Sequence, residues 1–251
     1  MRTTHLPVLL RDGVMDPATA ALSWLLIEGG VPIVVTGPAP REFRQAILGA
    51  MLSIDPTQAW VTLDADAELP TTDHLTAIMR GGVSLGLTLS ADDLRDALDR
   101  LTRAPNGLPG DAVRRLSLVF VADVSGDGVH LSAVHYLRPA ERDALGHVQR
   151  RPPAVLTAWD EASGADEHYA WAITPELADR VDRSQADFEE RLRDRAAFLA
   201  EAARDGVESP ADWEMSVRRY LASEPPRIPA PRHPAAAPSP FQGGLTDPHE
   251  H

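Results

Sequence analysis

Three acids close a β-branched run in this chain: Asp64, Asp66 and Glu68 follow Trp60, Val61, Thr62 and Leu63. Carboxylates at a strand end can orient an attacking water, with Asp64 and Glu68 as the catalytic pair. They can also hold a divalent cation such as Mg2+, with Asp64 and Asp66 as ligands. A solvated strand edge would show the same alternation. A second group lies upstream, in Gly37-Pro-Ala-Pro-Arg-Glu-Phe-Arg-Gln45. There a Gly-Pro turn separates the run Val31, Ile33, Val34, Val35 from a helical pattern. Strand, sharp turn and helix make the layout of a phosphate-binding βα unit. Gly37 and Pro38 would shape the turn, while Arg41, Arg44 and Gln45 would reach a phosphate. The turn has no second glycine and no Lys-Thr pair. An ordinary βα turn that kept its shape without a ligand fits the same residues.

Other candidates are thinner. His130, His135, His147 and His168 lie in or beside later strands without the close spacing of zinc ligands. The segment from His135 to Arg151 mixes arginine and acid, as a partner-binding loop or a solvated hairpin would.

The frame for these residues is a βα pattern. Asp16-Pro17 opens a helix that is apolar on most sides and stops at Gly29-Gly30, which marks it as buried. A strand over 31–36 and a helix over about 41–53 follow. Strands are expected over 60–70 and 83–89, with a short helix over 72–80 between them. Open α/β sheets gather functional groups at the carboxyl ends of strands, where these acids would sit. Ser90 is the expected cap of a helix burying Leu94, Ala97, Leu98 and Leu101, with Asp93 completing a capping box. A hairpin over 116–137 turns at Ser125-Gly-Asp-Gly128, and two more strands are expected over 154–159 and 168–173. Thr174-Pro175-Glu176 opens a long helical region, where Phe188, Leu192, Leu199 and Ala203 share a face for packing on the sheet or on another chain. Asp187/Arg191 and Glu189/Arg193 are i,i+4 pairs. Ser209-Pro210 opens a last helix. The order predicts an α/β fold, helices on both faces of its sheet, antiparallel strands at one edge and helices at the end. Residues 1–174 would form the α/β domain and 175–224 the C-terminal helices. Residues 225–251, rich in Pro and Ala, would be disordered.

Composition limits the partners. The 251 residues carry a net charge of −13, and every basic residue besides histidine is arginine. That charge argues against nucleic acid and anionic lipid. With no cysteine, disulfides and thiolate metal sites are excluded. The longest apolar stretch, 18–27, is too short to span a bilayer, so a cytoplasmic protein is expected.

Several blocks, in order, resemble the secretion-superfamily ATPases of type II and type IV secretion and type IV pili. Ala20-Ala-Leu-Ser-Trp-Leu-Leu-Ile27 resembles the helix before that family's P-loop strand. Gly37-Pro-Ala-Pro-Arg-Glu-Phe-Arg-Gln45 stands where the family has Gly-Pro-Thr-Gly-Ser-Gly-Lys-Thr-Thr. Val61-Thr-Leu-Asp-Ala-Asp-Ala-Glu-Leu69 is similar to the acidic box, and the run from Thr88 to Leu101 to the histidine box without its histidine. The resemblance covers roughly residues 10–140 and implies a P-loop-NTPase-like sheet with ATP as the ligand of its turn. Pro40 and Glu42 replace the phosphate-wrapping glycines. The lysine becomes Phe43 by direct count, or Arg44 after one insertion, and the Mg2+-holding hydroxyl becomes Arg44 or Gln45. The Walker B segment shrinks to 70–82, where only Arg80 is similar to its basic residue. What the resemblance implies is a pseudo-ATPase, an accessory or regulatory subunit bound to an active relative or to itself. A divergent ATPase and an interaction scaffold are the alternatives.

Overall fold

A computed structural model describes residues 4–54, 59–67, 71, 84–103, 107–125, 128–142, 147–207 and 209–229. The strands are β1 (Ile33–Thr36), β2 (Trp60–Asp64), β3 (Ser84–Thr88), β4 (Leu118–Ser125), β5 (Gly128–Tyr136), β6 (Glu141–Arg142), β7 (Val148–Gln149), β8 (Ala154–Asp160) and β9 (Ala165–His168). Seven form one mixed sheet in the order β2-β3-β1-β4-β5-β8-β9, and β6 and β7 pair separately. The four strands β2, β3, β1 and β4 run parallel, and β5, β8 and β9 extend the sheet antiparallel. The expected α/β class and antiparallel extension are present.

Helices α1 (Leu6–Arg11), α2 (Pro17–Glu28) and α3 (Arg41–Leu52) share a core with the first face of the sheet, where Ile33, Val35, Leu118 and Phe120 point. Helices α4 (Leu94–Thr102) and α5 (Gly110–Arg114) cover Val34, Leu85, Leu87 and Val119 on the second face. α2 begins as its sequence dictates: Asp16 accepts a 2.7 Å hydrogen bond from the Thr19 N–H, and Pro17 occupies the first turn. Every residue from Thr19 to Ile27 is buried, because α2 lies between the sheet and a further layer.

That layer is α6 (Thr174–Arg180), α7 (Gln185–Arg204) and α8 (Pro210–Ser223). The Phe188/Leu199 face of α7 packs on α2 rather than on the sheet, and Phe198, Trp213 and Tyr220 gather around Trp24. A charge network locks the layers. Arg195 is fully buried, stacks 4.5 Å from the Trp24 ring centre, and binds Glu224 and Glu28. Arg183 joins Glu28 to the buried Asp187.

Several local expectations are corrected. The cap of α4 is Asp93, which accepts from the Asp96 N–H, and not Ser90. The strand expected over 168–173 is β9 at Ala165–His168, and 170–173 form a 3-10 turn that leaves Trp171 76% exposed. In the turn between β8 and β9 the carboxylate of Asp160 accepts from the Ala162 and Ser163 N–H groups. The long helical region breaks after α6, where Asp182 has φ 53°. Glu189 accepts from Gln185, while Asp187/Arg191 form the expected pair at 3.5 Å. Up to residue 229 the segment expected to be disordered is held: Ile228 O accepts from Ser184 N–H, and Arg227 donates to Asp182 O. Glu68, Arg80, the helix over 72–80 and the tail from 230 lie outside the described residues.

Candidate functional site

The turn after β1 sits where the sheet's connections diverge. β1 leads into α3 on the first face, and β3 leads into α4 on the second. Adjacent parallel strands whose connections part in this way leave a crevice at their carboxyl ends, the usual ligand position in open α/β sheets. Gly37, Arg41, Arg44, Gln45, Asp64 and Asp66, chosen from sequence, all meet there.

Gly37 is required by its surroundings. Its φ is 113°, and a Cβ would lie 2.0 Å from the Ala122 carbonyl oxygen of β4. This close approach fixes the path of the turn, and the Ala39 N–H donates to the same oxygen at 3.1 Å. Pro38 and Pro40 have no N–H to offer. The Phe43 and Arg44 amides are both turned back onto Pro40 O.

The carbonyls of the turn point the other way. Arg44, 4% exposed, reaches back from α3 and donates through Nη1 to Ala39 O and, at 3.4 Å, to Gly37 O. Its Nη2 donates to Asp66 Oδ2 at 2.6 Å. A phosphate cradle aims several N–H groups into one hollow. Here two carbonyl oxygens and a carboxylate converge on an arginine that the chain supplies itself. Phe43 points outward and is 46% exposed.

The acids are equally engaged. Asp64 Oδ2 accepts from Arg41 and, at 2.8 Å, from Gln45, while its Oδ1 takes the Asp66 N–H. Asp66 Oδ1 takes the Ser90 N–H at 2.8 Å. Desolvation pushes the Asp64 carboxyl up, but the Arg41 hydrogen bond, the Asp66 N–H and the Arg41 charge outweigh it and hold the group below the ordinary carboxylate range. All four oxygens of the pair therefore have partners before any cation arrives. Among the described residues no group of three or more acids or histidines is placed to hold a metal ion. Glu68 lies outside those residues.

Ser90 is the member that sequence reasoning assigned elsewhere. Its position just past a parallel strand is the signal that could have placed it in the crevice. The histidines diverge: His168 pairs with Asp16 at 2.8 Å, His130 packs 5.1 Å from the Trp159 ring, and His135 lies on the second face of the sheet. No helix among the described residues is long and apolar enough to cross a membrane. No protein-family model matches the chain, and a comparison with curated proteins likewise finds no match.

Proposed function

We propose that this chain is a P-loop-like scaffold related to secretion ATPases, in which an internal arginine takes the place of the nucleotide. It works as an accessory or regulatory subunit through protein contacts. The observation that carries the reading is the inverted polarity of the turn: Gly37 O and Ala39 O face the Arg44 guanidinium, and Asp66 completes its partners. A triphosphate in that hollow would meet two carbonyl oxygens and an aspartate, and would have to expel a buried cation already satisfied by them. The parallel arrangement of β1 between β3 and β4 supports the P-loop-like part of the reading, as does the block order of the sequence.

Calorimetric titration of the purified chain with Mg-ATP tests it. No heat of binding is expected up to millimolar nucleotide. Micromolar binding weakened by Arg44→Ala, or a steady-state ATPase rate lost in Asp64→Ala, would overturn the proposal in favour of a divergent ATPase.

A further inference from the structure

The second face of the sheet is covered only in part. Over β3, β1 and β4 it lies beneath α4 and α5. Beyond β4 no described helix rests on it. The pairings Ala133↔Ala158 and His135↔Val155 set these residues side by side on that face, since partners across an antiparallel ladder share a side. Tyr169 joins them two residues beyond Glu167, which pairs with Ala158 and receives the Tyr169 hydroxyl. Val155 and Tyr169 are each 40% exposed. The opposite side of the same strands is sealed by α2, where the Thr19 hydroxyl meets that of Thr157.

An open cleft of about 680 Å³ runs between α4 and this face. Its apolar surface comes from Leu94, Leu98, Val121, Ala133 and Pro153. Four carboxylates, Asp92, Asp93, Asp99 and Asp123, border it, against one cation, Arg95. Asp93 is committed to its helix cap and Asp99 shares an exposed i,i+4 pair with Arg103 at 2.8 Å, while Asp92 and Asp123 complete the acidic lining. The rim is acidic in a chain that is itself acidic, so a second copy is an unfavourable occupant. A cationic one is drawn in.

We propose that this face receives an amphipathic helix of a partner protein, its apolar stripe on Val121, Ala133 and Val155 and its arginines or lysines opposite Asp92, Asp99 and Asp123. A helix there would complete the second layer as α2 completes the first. It names a surface for the partner that the accessory-subunit reading calls for. No arm of its test involves nucleotide, so the two can fail separately.

The probe is a fluorescein-labelled helical peptide of about 18 residues with leucine on one face and arginine on the other, titrated with the full chain by anisotropy. A scrambled peptide of equal composition is the control. Saturable binding is expected for the amphipathic peptide, weakened at least roughly tenfold in Asp99→Arg/Asp123→Arg and, independently, in Val155→Arg. The pair Glu189→Arg/Glu190→Arg on α7 makes the same change of charge elsewhere and should leave binding intact. Equal binding of the scrambled peptide, or an equal loss in the α7 variant, would show attraction to net charge alone and overturn the proposal. So would a dimer in sedimentation velocity that Val155→Arg dissolves, which would make a second copy the occupant.

Discussion

Replacing Arg44 by alanine tests whether the crevice is held together from within. The substitution removes the donors to Ala39 O, Gly37 O and Asp66 Oδ2 in one step. A hydrogen bond to a charged group is worth about 1.5–3 kcal/mol, and breaking a buried ion pair from one side costs about 3–5 kcal/mol. Water reaches the Asp66 side chain, which is 23% exposed, so the lower end applies and the expected loss is about 3 kcal/mol. For a chain of this size that is a fall in Tm of roughly 6–12 °C, readable by thermal or urea unfolding followed by circular dichroism. Arg41→Ala supplies the internal comparison. Its guanidinium is half exposed beside Asp64, and exposed pairs are worth about 0.2–1 kcal/mol. A double-mutant cycle between Arg44→Ala and Asp66→Ala should show coupling of about 1–2 kcal/mol. If Arg44→Ala costs no more than Arg41→Ala, the guanidinium is not holding the turn and the reasoning fails. The Arg44→Ala chain should still bind no Mg-ATP, because its hollow remains lined by carbonyl oxygens.

Gly37→Ala should be among the most damaging single changes, roughly 3 kcal/mol or more, since both its φ and the Ala122 carbonyl oppose a side chain; soluble yield and Tm report it. Arg195→Ala strips the partner from Glu224 and the cation from the Trp24 face, and should cost about 3–5 kcal/mol with a change in tryptophan emission. The His168–Asp16 pair makes stability depend on pH. The Asp16 hydrogen bond raises the His168 pKa above 6.5 against the opposing effect of burial. Its contribution is thus full below pH 6.5 and fades as pH rises through the higher folded value. Asp16 itself is lowered, its bonds to His168 and Thr19 overcoming desolvation, so the acid-side loss falls below the usual carboxylate range. His168→Gln should therefore lower Tm more at pH 6 than at pH 9, and an equal penalty at both would refute the assignment.

Much of the frame was legible because its signals are local. Asp16-Pro17 before an apolar run specifies a capped, buried helix, and Val31 to Gly37 specifies a strand and turn. β9 falls outside the expected range because Ala165-Asp-Glu-His168 is a polar edge strand, while the more β-like Tyr169-Ala-Trp-Ala-Ile173 lies where the chain leaves the sheet. Periodicity showed that one side of α7 is buried, but not that α2 rather than the sheet covers it. The break at Asp182 has neither glycine nor proline to announce it. In the crevice, residue types gave the members but not their pairings. Whether an arginine meets a ligand or its own backbone depends on the direction of two carbonyls, and that direction follows from a contact between Gly37 and Ala122, 85 positions apart in the chain.

The three departures from a phosphate-binding turn support one another physically. With Pro38 and Pro40 in place the turn has few amides to aim inward, and the Ala39 amide is tied to β4. Carbonyls then line the hollow, and a buried carbonyl needs a donor, which Arg44 provides. A buried guanidinium in turn needs a counter-charge, which Asp66 provides while Ser90 steadies its other oxygen. Each residue answers a need created by another. Adding one glycine leaves the arginine in place, and removing the arginine leaves oxygen atoms facing oxygen atoms. Anion binding here would require the carbonyls, the cation and the carboxylate to change together, so no single substitution in this turn should produce phosphate affinity.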